Sequence, residues 1–275
     1  MNKNVQLAVK ACKQLKIPFK LIHRSKNILE ISKNNKSFLF INHTNPLNYQ
    51  SESSLLKDKD FFYTYVKNDI KMPKSISYLS PFVENKFIKY LKHKSIKSII
   101  DNIEKSFIYP FIIKKNKGSQ GNGVFLVNNI EELKDSILKI FKSDVKALDY
   151  VCIGQELINT KKEYRCIFLN GKHKFSYYKN NTNAIFKGNL SPLHWQGAVA
   201  EVVKDKKLIN NIIKFTKPLF KKLKIKYCGL DIVIDNKGVY WLIEANSSPI
   251  LEIFTRDNGD TLAIKLYKDI LKELE

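Results

Sequence analysis

A regular alternation of predicted elements after Pro73 is the feature that most constrains how this chain can fold. Hydrophobic periodicity predicts the order β-α-β-β-α-β, which describes one compact lobe over residues 73–158. The predicted elements are a strand at 75–79, a helix at 84–104, strands at 111–115 and 124–127, a helix at 130–142 and a strand at 150–158. A glycine-rich segment at 118–123 joins the two central strands, so it is not a phosphate loop of the kind that opens a helix.

The rest of the chain is predicted to combine hairpins with a few helices. The predicted fold class is therefore α/β in the broad sense, with segregated helices and antiparallel strands (α+β). Before the lobe, the pattern predicts a helix at 5–16, strands at 19–23, 28–31 and 37–41, and a helix at 53–69. After the lobe, it predicts a hairpin of 164–169 with 174–178, a helix at 205–223, a hairpin of 229–235 with 239–245, and a helix at 261–274. Pro218 lies inside the third of these helices and predicts a kink or a break there.

The composition excludes several classes of protein. With 275 residues, 44% of them hydrophobic, the chain is long enough to bury a core and is not disordered as a whole. The four cysteines have neither disulfide-scaffold nor zinc spacing, which favours a reduced compartment, and we expect a cytoplasmic protein. Since no apolar run approaches the roughly 20 residues of a membrane span and the N-terminus lacks a signal-peptide pattern, we expect no membrane partner.

The formal net charge of +22 raises the question of a polyanionic partner. Only three of the 48 basic residues are arginines, namely Arg24, Arg165 and Arg256, whereas base and phosphate recognition usually rely on the bidentate guanidinium. Solvated lysine faces are therefore the expected explanation, and nucleic acid is not expected as a partner. Attraction of an acidic substrate by this charge stays open.

Lys114 and the glycine-rich segment after it form the first candidate site. Glycines allow backbone N–H groups to approach phosphate oxygens, and Lys114 lies four residues upstream on the same predicted strand. A glycine-rich hairpin turn without a ligand is the alternative for this segment. A second candidate is the stretch from Gln155 to Ile158, because a strand that runs into a linker presents backbone groups to an adenine edge.

Asp231, Glu244 and Asn246 form a third candidate site, whose oxygen donors suit a hard cation such as Mg²⁺ or Mn²⁺. Glu244 and Asn246 are two residues apart on one predicted strand and share a face. Asp231 shares that face if the intervening loop has two residues, and it faces the other way if a three-residue loop with a bulge at Gly238 shifts the register by one. The alternative to a metal site is that these carboxylates cap a hairpin at the protein surface and bind no ion.

These motifs follow one another in an order that strongly resembles the ATP-grasp superfamily. The order is Lys114, the loop 118–123, Gln155-Glu156-Leu157-Ile158, Glu163-Tyr164-Arg165, Lys187-Gly188-Asn189, Gly229-Leu230-Asp231 and the stretch from Leu242 to Pro249. The chain is similar in particular to the glutamate ligases that modify ribosomal protein and to cyanophycin and glutathione synthetases. The resemblance covers residues 58–275.

The resemblance implies a role for each matching position. Lys114 and Arg165 are expected to act in catalysis, with Arg165 on the γ-phosphate and the acyl phosphate. Contacts to ATP are expected from Lys114, Gly118, Ser119, Gln120, Gly121, Gly123, Gln155, Glu156, Leu157, Ile158, Glu163, Lys187 and Asn189. Within this set, Glu156 and Leu157 are expected to hold adenine and Glu163 the ribose. Lys187 stands where the glutamate ligases usually have arginine, so its role is less defined.

The remaining implied ligands are metal ions and a carboxylate substrate. Asp231, Glu244 and Asn246 are expected to hold Mg²⁺ or Mn²⁺, two ions in all. Arg256 is expected to grip the substrate carboxylate, with a plain surface position as the alternative.

The implied fold has two α+β lobes that clasp ATP, with a short, truncated N-terminal subdomain in place of the usual larger one. The expected boundaries are 1–57 for that subdomain, 58–72 for a connecting helix, 73–158 for the first lobe and 159–275 for the catalytic lobe. The implied activity joins a carboxylate to an amine at the expense of ATP, adding an amino acid such as glutamate to a peptide, a protein or a small metabolite. An ATP-grasp kinase and a basic nucleic-acid-binding protein with a vestigial nucleotide site are the alternatives, and a homo-oligomer stays open.

Overall fold

Three antiparallel sheets organise the part of the chain that the structure describes. The computed structural model describes residues 1–118, 121–141, 149–186 and 190–275. The N-terminal segment consists of helix α1 (Lys3–Leu15), strands β1 (Phe19–Leu21), β2 (Ile28–Lys33) and β3 (Lys36–Ile41), and helices α2 (Gln50–Lys57) and α3 (Lys59–Val66). Its strands form one sheet in the order β1-β2-β3. The predicted helix at 53–69 is wrong in part, because Asp58 is extended and its side chain caps α3 by accepting a hydrogen bond from the Phe61 N–H.

The central lobe has a four-stranded sheet in the order β4-β7-β5-β6. Its elements are β4 (Ser75–Leu79), α4 (Ile96–Ser106), β5 (Phe111–Lys115), β6 (Val124–Val127), α5 (Ile130–Phe141) and β7 (Val151–Gln155). The predicted β-α-β-β-α-β order is confirmed, but the single helix predicted at 84–104 is wrong. A 3₁₀ helix occupies Asn85–Tyr90, and α4 begins only after Ser95, whose hydroxyl accepts from the Ser98 N–H in a capping box.

The C-terminal lobe has a five-stranded sheet in the order β10-β9-β8-β11-β12. Its elements are β8 (Thr160–Leu169), β9 (Lys172–Asn180), β10 (Val199–Val202), α6 (Lys206–Lys222), β11 (Tyr227–Asp235), β12 (Tyr240–Asn246), α7 (Glu252–Asn258) and α8 (Thr261–Lys272). Both predicted hairpins are confirmed. Helix α6 continues past Pro218, so the expected break is wrong.

The N-terminal segment shares its hydrophobic core with the C-terminal lobe. Leu7 and Ile31 belong to the same buried cluster as Tyr227, Phe254 and Tyr267. The central lobe instead buries a cluster of its own between its sheet and helices α4 and α5. The chain therefore packs around separate cores on the two sides of the space described below. Within the described ranges, no helix is both long and apolar enough to cross a membrane.

Asn48 fastens the segment after β3 to the start of β11. Its side-chain Oδ1 accepts from the backbone N–H groups of Lys226 (3.0 Å) and Tyr227 (2.9 Å), and its Nδ2 donates to the Tyr227 carbonyl (2.6 Å). One side chain thus satisfies three backbone groups at the edge of the shared core.

The substitution Asn48→Ala is expected to lower the free energy of unfolding by about 2 kcal/mol, because it leaves partly buried backbone groups without partners. Urea denaturation followed by circular dichroism measures the change. Asn68→Ala, an exposed turn position, is the matched control and is expected to shift stability by less than about 0.5 kcal/mol. Equal effects of the two substitutions would contradict the anchoring role.

Candidate functional site

A cavity of about 960 Å³ lies between the sheets of the central and C-terminal lobes. Strands β5 and β7 line it on one side, and strands β8, β9, β11 and β12 line it on the other. Its volume falls at the upper end of the roughly 300–1,000 Å³ typical of small-molecule sites. Nearly all the described residues that the sequence singled out border this one space.

Lys114 contributes a buried cation from β5. Its side chain is 5% exposed, and its Nζ donates to Gln155 Oε1 at 3.0 Å, while Gln155 Nε2 donates to Ser75 Oγ at 2.9 Å. Burial lowers the pKa of Lys114 to about 8, although the negative charge of Glu244 on the opposite lobe acts to raise it. The ammonium is therefore fixed in position and within electrostatic reach of the other sheet.

The glycine-rich segment reaches the cavity at two of its described positions. Gly118 and Gly121 line the cavity wall, whereas Gly123 is not among the lining residues. Gly121 has a φ of 72°, which favours glycine, and a Cβ on Gly118 would stand 2.5 Å from Cε of Lys115. The predicted ligands Ser119 and Gln120 lie outside the described residues.

The connection between the lobes supplies a second part of the cavity wall. Gln155, Glu156, Leu157 and Ile158 all line it, together with the apolar side chains of Met72, Ile112 and Ile153. The Glu156 N–H donates to the Lys74 carbonyl at 2.9 Å, and Glu156 Oε2 accepts from the Lys74 N–H at 3.2 Å. Two hydrogen bonds between Glu156 and Lys74 thus fix the start of the connection, and the apolar side chains around it suit a flat base.

A row of paired charges crosses the sheet of the C-terminal lobe. Arg165 on β8 lies opposite Asp231 on β11, and its Nε and Nη2 donate to the two carboxylate oxygens, the second at 2.8 Å. Lys179 on β9 contacts Asp231 Oδ1 at 3.1 Å and also pairs with Glu163. Asp231 is 3% exposed, so its negative charge is neutralised by protein groups on two sides.

The pairing fixes the charge state of each member of this row. Burial acts to raise the pKa of Asp231, but the charges of Arg165 and Lys179 outweigh it and hold that pKa far below its usual range. Burial acts in the opposite direction on the two cations, and the Asp231 carboxylate raises the pKa of each above its ordinary value. All three groups are therefore charged across the physiological pH range.

Lys179 is a site residue that the sequence analysis missed. It lines the cavity and is only 7% exposed. The predicted hairpin strand ended at 178, one residue too early, while β9 continues to Asn180. The signal that identifies Lys179 is the two-residue period of a strand. Lys179 lies two residues after Tyr177, which pairs with Arg165, so the three side chains lie on the same face of the sheet.

A bulge brings the predicted metal ligands to one face. Near the turn, Ile234 pairs with Tyr240 and Ile232 with Leu242, a register that would place Asp231 opposite Ile243. A register shift between Asp231 and Ile232 places Asp231 opposite Glu244 instead. The loop thus follows the three-residue alternative, and the bulge in β12 restores the shared face.

The donor set fits a hard cation held jointly with phosphate oxygens. Glu244 lies opposite Asp231 in the pairing of β11 with β12, and Asn246 Nδ2 donates to Glu244 Oε1 at 3.1 Å. No group of three or more His, Cys, Asp and Glu side chains suited to a metal occurs among the described residues, and here two carboxylates and one amide meet. Because Asp231 is already engaged by Arg165 and Lys179, Glu244 and Asn246 fit a cation best, and Mg²⁺ commonly uses one or two carboxylates plus substrate phosphates.

Two further predicted residues differ in their placement. Glu163 lines the cavity and pairs with Lys179. Arg256 lies on α7, where Nε donates to Asp257 and Nη2 to the Ala198 carbonyl at 2.9 Å, and it is not among the residues that line the cavity. The structure therefore does not bring Arg256 to the cavity, because the side chain turns toward β10. The predicted ligands Lys187 and Asn189 lie outside the described residues.

The chain is similar to an ATP-grasp family model and to proteins named as a ligase and a synthase. A family model described as a RimK-like ATP-grasp domain matches residues 78–270. D-alanine–D-alanine ligase B of Clostridium perfringens is 25% identical over 163 residues, which cover 58% of this chain and 52% of that ligase. N-acetylaspartylglutamate synthase A of Homo sapiens is 25% identical over 167 residues, which cover 58% of this chain and 38% of that protein. The chain spans about half the length of the first curated relatives that it matches.

A solved structure shares the architecture. The D-alanine–D-alanine ligase of Bacillus anthracis superposes with a TM-score of 0.54 at 18% sequence identity, over 79% of this chain and 65% of that one. At this identity the likeness shows the fold alone.

Nucleotide affinity is expected to fall as pH rises through about 8, the pKa of Lys114. Above that value the free protein holds a neutral amine at this position, and a bound phosphate must recruit a proton to restore the charge. The Kd for ATP is expected to rise by up to about tenfold per pH unit in this range. Calorimetric titration across about pH 6.5 to about pH 9.5 measures the change.

The variant Lys114→Arg provides the comparison, since a guanidinium stays charged throughout. Its pH profile is expected to be flat even if its affinity is lower. A Kd of the unaltered protein that does not change across this range would contradict the assignment of Lys114 to phosphate.

Proposed function

Since the chain belongs to the RimK-like ATP-grasp family, we propose that it is an ATP-dependent ligase that joins a carboxylate to an amine through an acyl phosphate. The observation that carries this proposal is the meeting of charged side chains from both lobes in one cavity. The buried Lys114 of the central lobe lines the same cavity as Arg165, Asp231, Lys179 and Glu244 of the C-terminal lobe.

The reaction proceeds in two steps. The γ-phosphoryl group of ATP passes to a carboxylate oxygen, which gives an acyl phosphate and ADP. The amine nitrogen then attacks the carbonyl carbon, the bond from that carbon to the phosphate oxygen breaks, and phosphate leaves with the bonding electrons while the nitrogen loses its excess protons. Phosphoryl transfer needs positioning and charge neutralisation rather than covalent help from the protein.

Different residues of the cavity serve the positioning of the substrates and the neutralisation of their charge. Lys114 and Arg165 neutralise the transferring phosphoryl group, and Lys179 keeps Asp231 ionised and in place. Glu244 and Asn246 would hold Mg²⁺ beside the already paired Asp231, and the bound ion would neutralise phosphate charge. The connection from Gln155 to Ile158 accommodates the base of ATP, and closure between two separately packed lobes excludes water, which would otherwise hydrolyse an acyl phosphate.

The substrates are proposed from the names of relatives. D-alanine, glutamate and N-acetylaspartate are the first candidates because a D-alanine–D-alanine ligase and an N-acetylaspartylglutamate synthase are both similar to this chain. The net charge of +22 adds acidic peptides and proteins as acceptors, since such a charge favours encounter with anions.

Incubation with ATP, Mg²⁺ and a panel of these compounds tests the proposal. ADP and phosphate release that depends on two panel members, with a new mass equal to their sum less water, is the expected result. Substrate-dependent ADP formation with a phosphorylated product and no amide would support a kinase instead.

The substitution Glu244→Gln is expected to lower turnover by about 10²–10³, because it removes one preorganised charge from the phosphoryl-transfer site. Circular dichroism is expected to show an unchanged fold. Glu30→Gln is the matched control, since Glu30 is a strand carboxylate on β2 outside the cavity. Near-normal ligation by Glu244→Gln would show that the metal assignment is wrong.

A further inference from the structure

A second set of polar side chains lines the cavity, distinct from the row of charges. His43 lies in the loop after β3, Ser247 directly follows β12, and Glu252 is the first residue of α7. The functions assigned above use none of the three. His43 also lies outside residues 78–270, so it comes from a part of the chain that the family model does not match.

The loop that carries His43 is tied to the C-terminal lobe by two residues that follow His43. Asn48 makes three hydrogen bonds to the start of β11, and Thr44 Oγ1 lies 3.4 Å from Ser248 Oγ. These contacts fix the loop against the segment that follows β12. His43 is therefore held at the cavity wall by the fold itself.

Two polar atoms of this set are buried without a partner. His43 Nδ1 and Ser247 Oγ have no hydrogen-bond partner among the described residues, and the Ser247 residue is only 6% exposed. Buried polar atoms are almost always paired, because an unmade hydrogen bond is costly. Their presence in the wall of a cavity indicates that a ligand supplies the missing partners.

The charge of this set is opposite to that of the phosphate-facing residues. Glu252 lines the cavity, and no ion-pair partner for its carboxylate occurs within the described ranges. Burial lowers the pKa of His43, although the Glu252 charge acts to raise it, so this imidazole is neutral near neutral pH. The set therefore carries one negative charge and two neutral groups with oxygen or nitrogen acceptors.

We propose that His43, Ser247 and Glu252 form the subsite for the amine substrate, and that this substrate binds as a primary ammonium ion. A primary ammonium has three N–H donors. This set offers the Glu252 carboxylate, which also neutralises the charge, the Ser247 hydroxyl oxygen and, in the tautomer protonated on Nε2, the Nδ1 atom of His43. The proposal rests on the proposed function, to which it adds the chemical class of the second substrate and the residues that select it.

A pair of ligands that differ in one group tests the proposal. L-alaninamide carries an ammonium at neutral pH, whereas lactamide has a hydroxyl in the same place. With ADP and Mg²⁺ present, L-alaninamide is expected to bind at least about tenfold more tightly than lactamide, because only the former makes the charged hydrogen bond. Ligand-observed NMR titration measures both affinities.

Variants locate the site. Glu252→Gln and Ser247→Ala are expected to weaken binding of L-alaninamide, the former by at least about tenfold. Glu131→Gln is the matched control, since Glu131 is an exposed carboxylate in the first turn of α5 and does not line the cavity. Equal binding of the two ligands, or unchanged binding of L-alaninamide by Glu252→Gln, would overturn the proposal.

Hydroxylamine separates this proposal from the proposed function. It is small and uncharged at neutral pH, and it traps an acyl phosphate as a hydroxamate without an ammonium subsite. Failure of the unaltered protein to form any hydroxamate with the carboxylate panel would count against the ligase. Hydroxamate formation combined with equal binding of L-alaninamide and lactamide would leave the ligase standing and overturn the subsite alone.

Discussion

The ion pair between Arg165 and Asp231 is the interaction on which the arrangement of the site depends. It joins β8 to β11 in the middle of the larger sheet, Lys179 contacts its carboxylate, and Glu244 lies opposite Asp231 on β12. Burying charges is expensive, and removing one partner of such a pair typically costs about 3–5 kcal/mol. The pair lines the cavity, so its charges contribute to the electrostatic potential of that space.

The two sides of the cavity are built on different hydrophobic cores, so the charged side chains that face each other across the cavity belong to separately packed bodies. The central lobe packs around its own apolar cluster, whereas the N-terminal segment and the C-terminal lobe share one. Lys114 therefore belongs to a body that is distinct from the one carrying Arg165 and Asp231. Because Lys114 and Arg165 both line the cavity, an anion bound between them would contact both bodies at once.

The sequence predicts most of the elements, and most of its described candidate residues line the cavity, but it does not predict the features that depend on tertiary register. Periodicity located the strands of the central lobe and both hairpins, because those signals are local. Asp231 lies opposite Glu244 only because a bulge in β12 shifts the register, and no local sequence pattern predicts that bulge. Lys179 is missed because its strand extends beyond the predicted end. Arg256, expected either to grip a substrate carboxylate or to lie at the surface, has its partners outside the cavity. His43 depends on the anchoring of a distant loop by Asn48, a contact that spans 179 positions of the chain.

The most direct measurement of the central claim is the fate of carboxylate oxygen. The carboxylate that supports turnover is labelled with ¹⁸O in both oxygens, and the phosphate released during amide formation is analysed by mass spectrometry. If an acyl phosphate forms between the lobes, each released phosphate carries one ¹⁸O atom from the carboxylate. Unlabelled phosphate, formed at a rate that matches ADP release, would contradict the account, because the phosphoryl group would then have passed to water or to another acceptor.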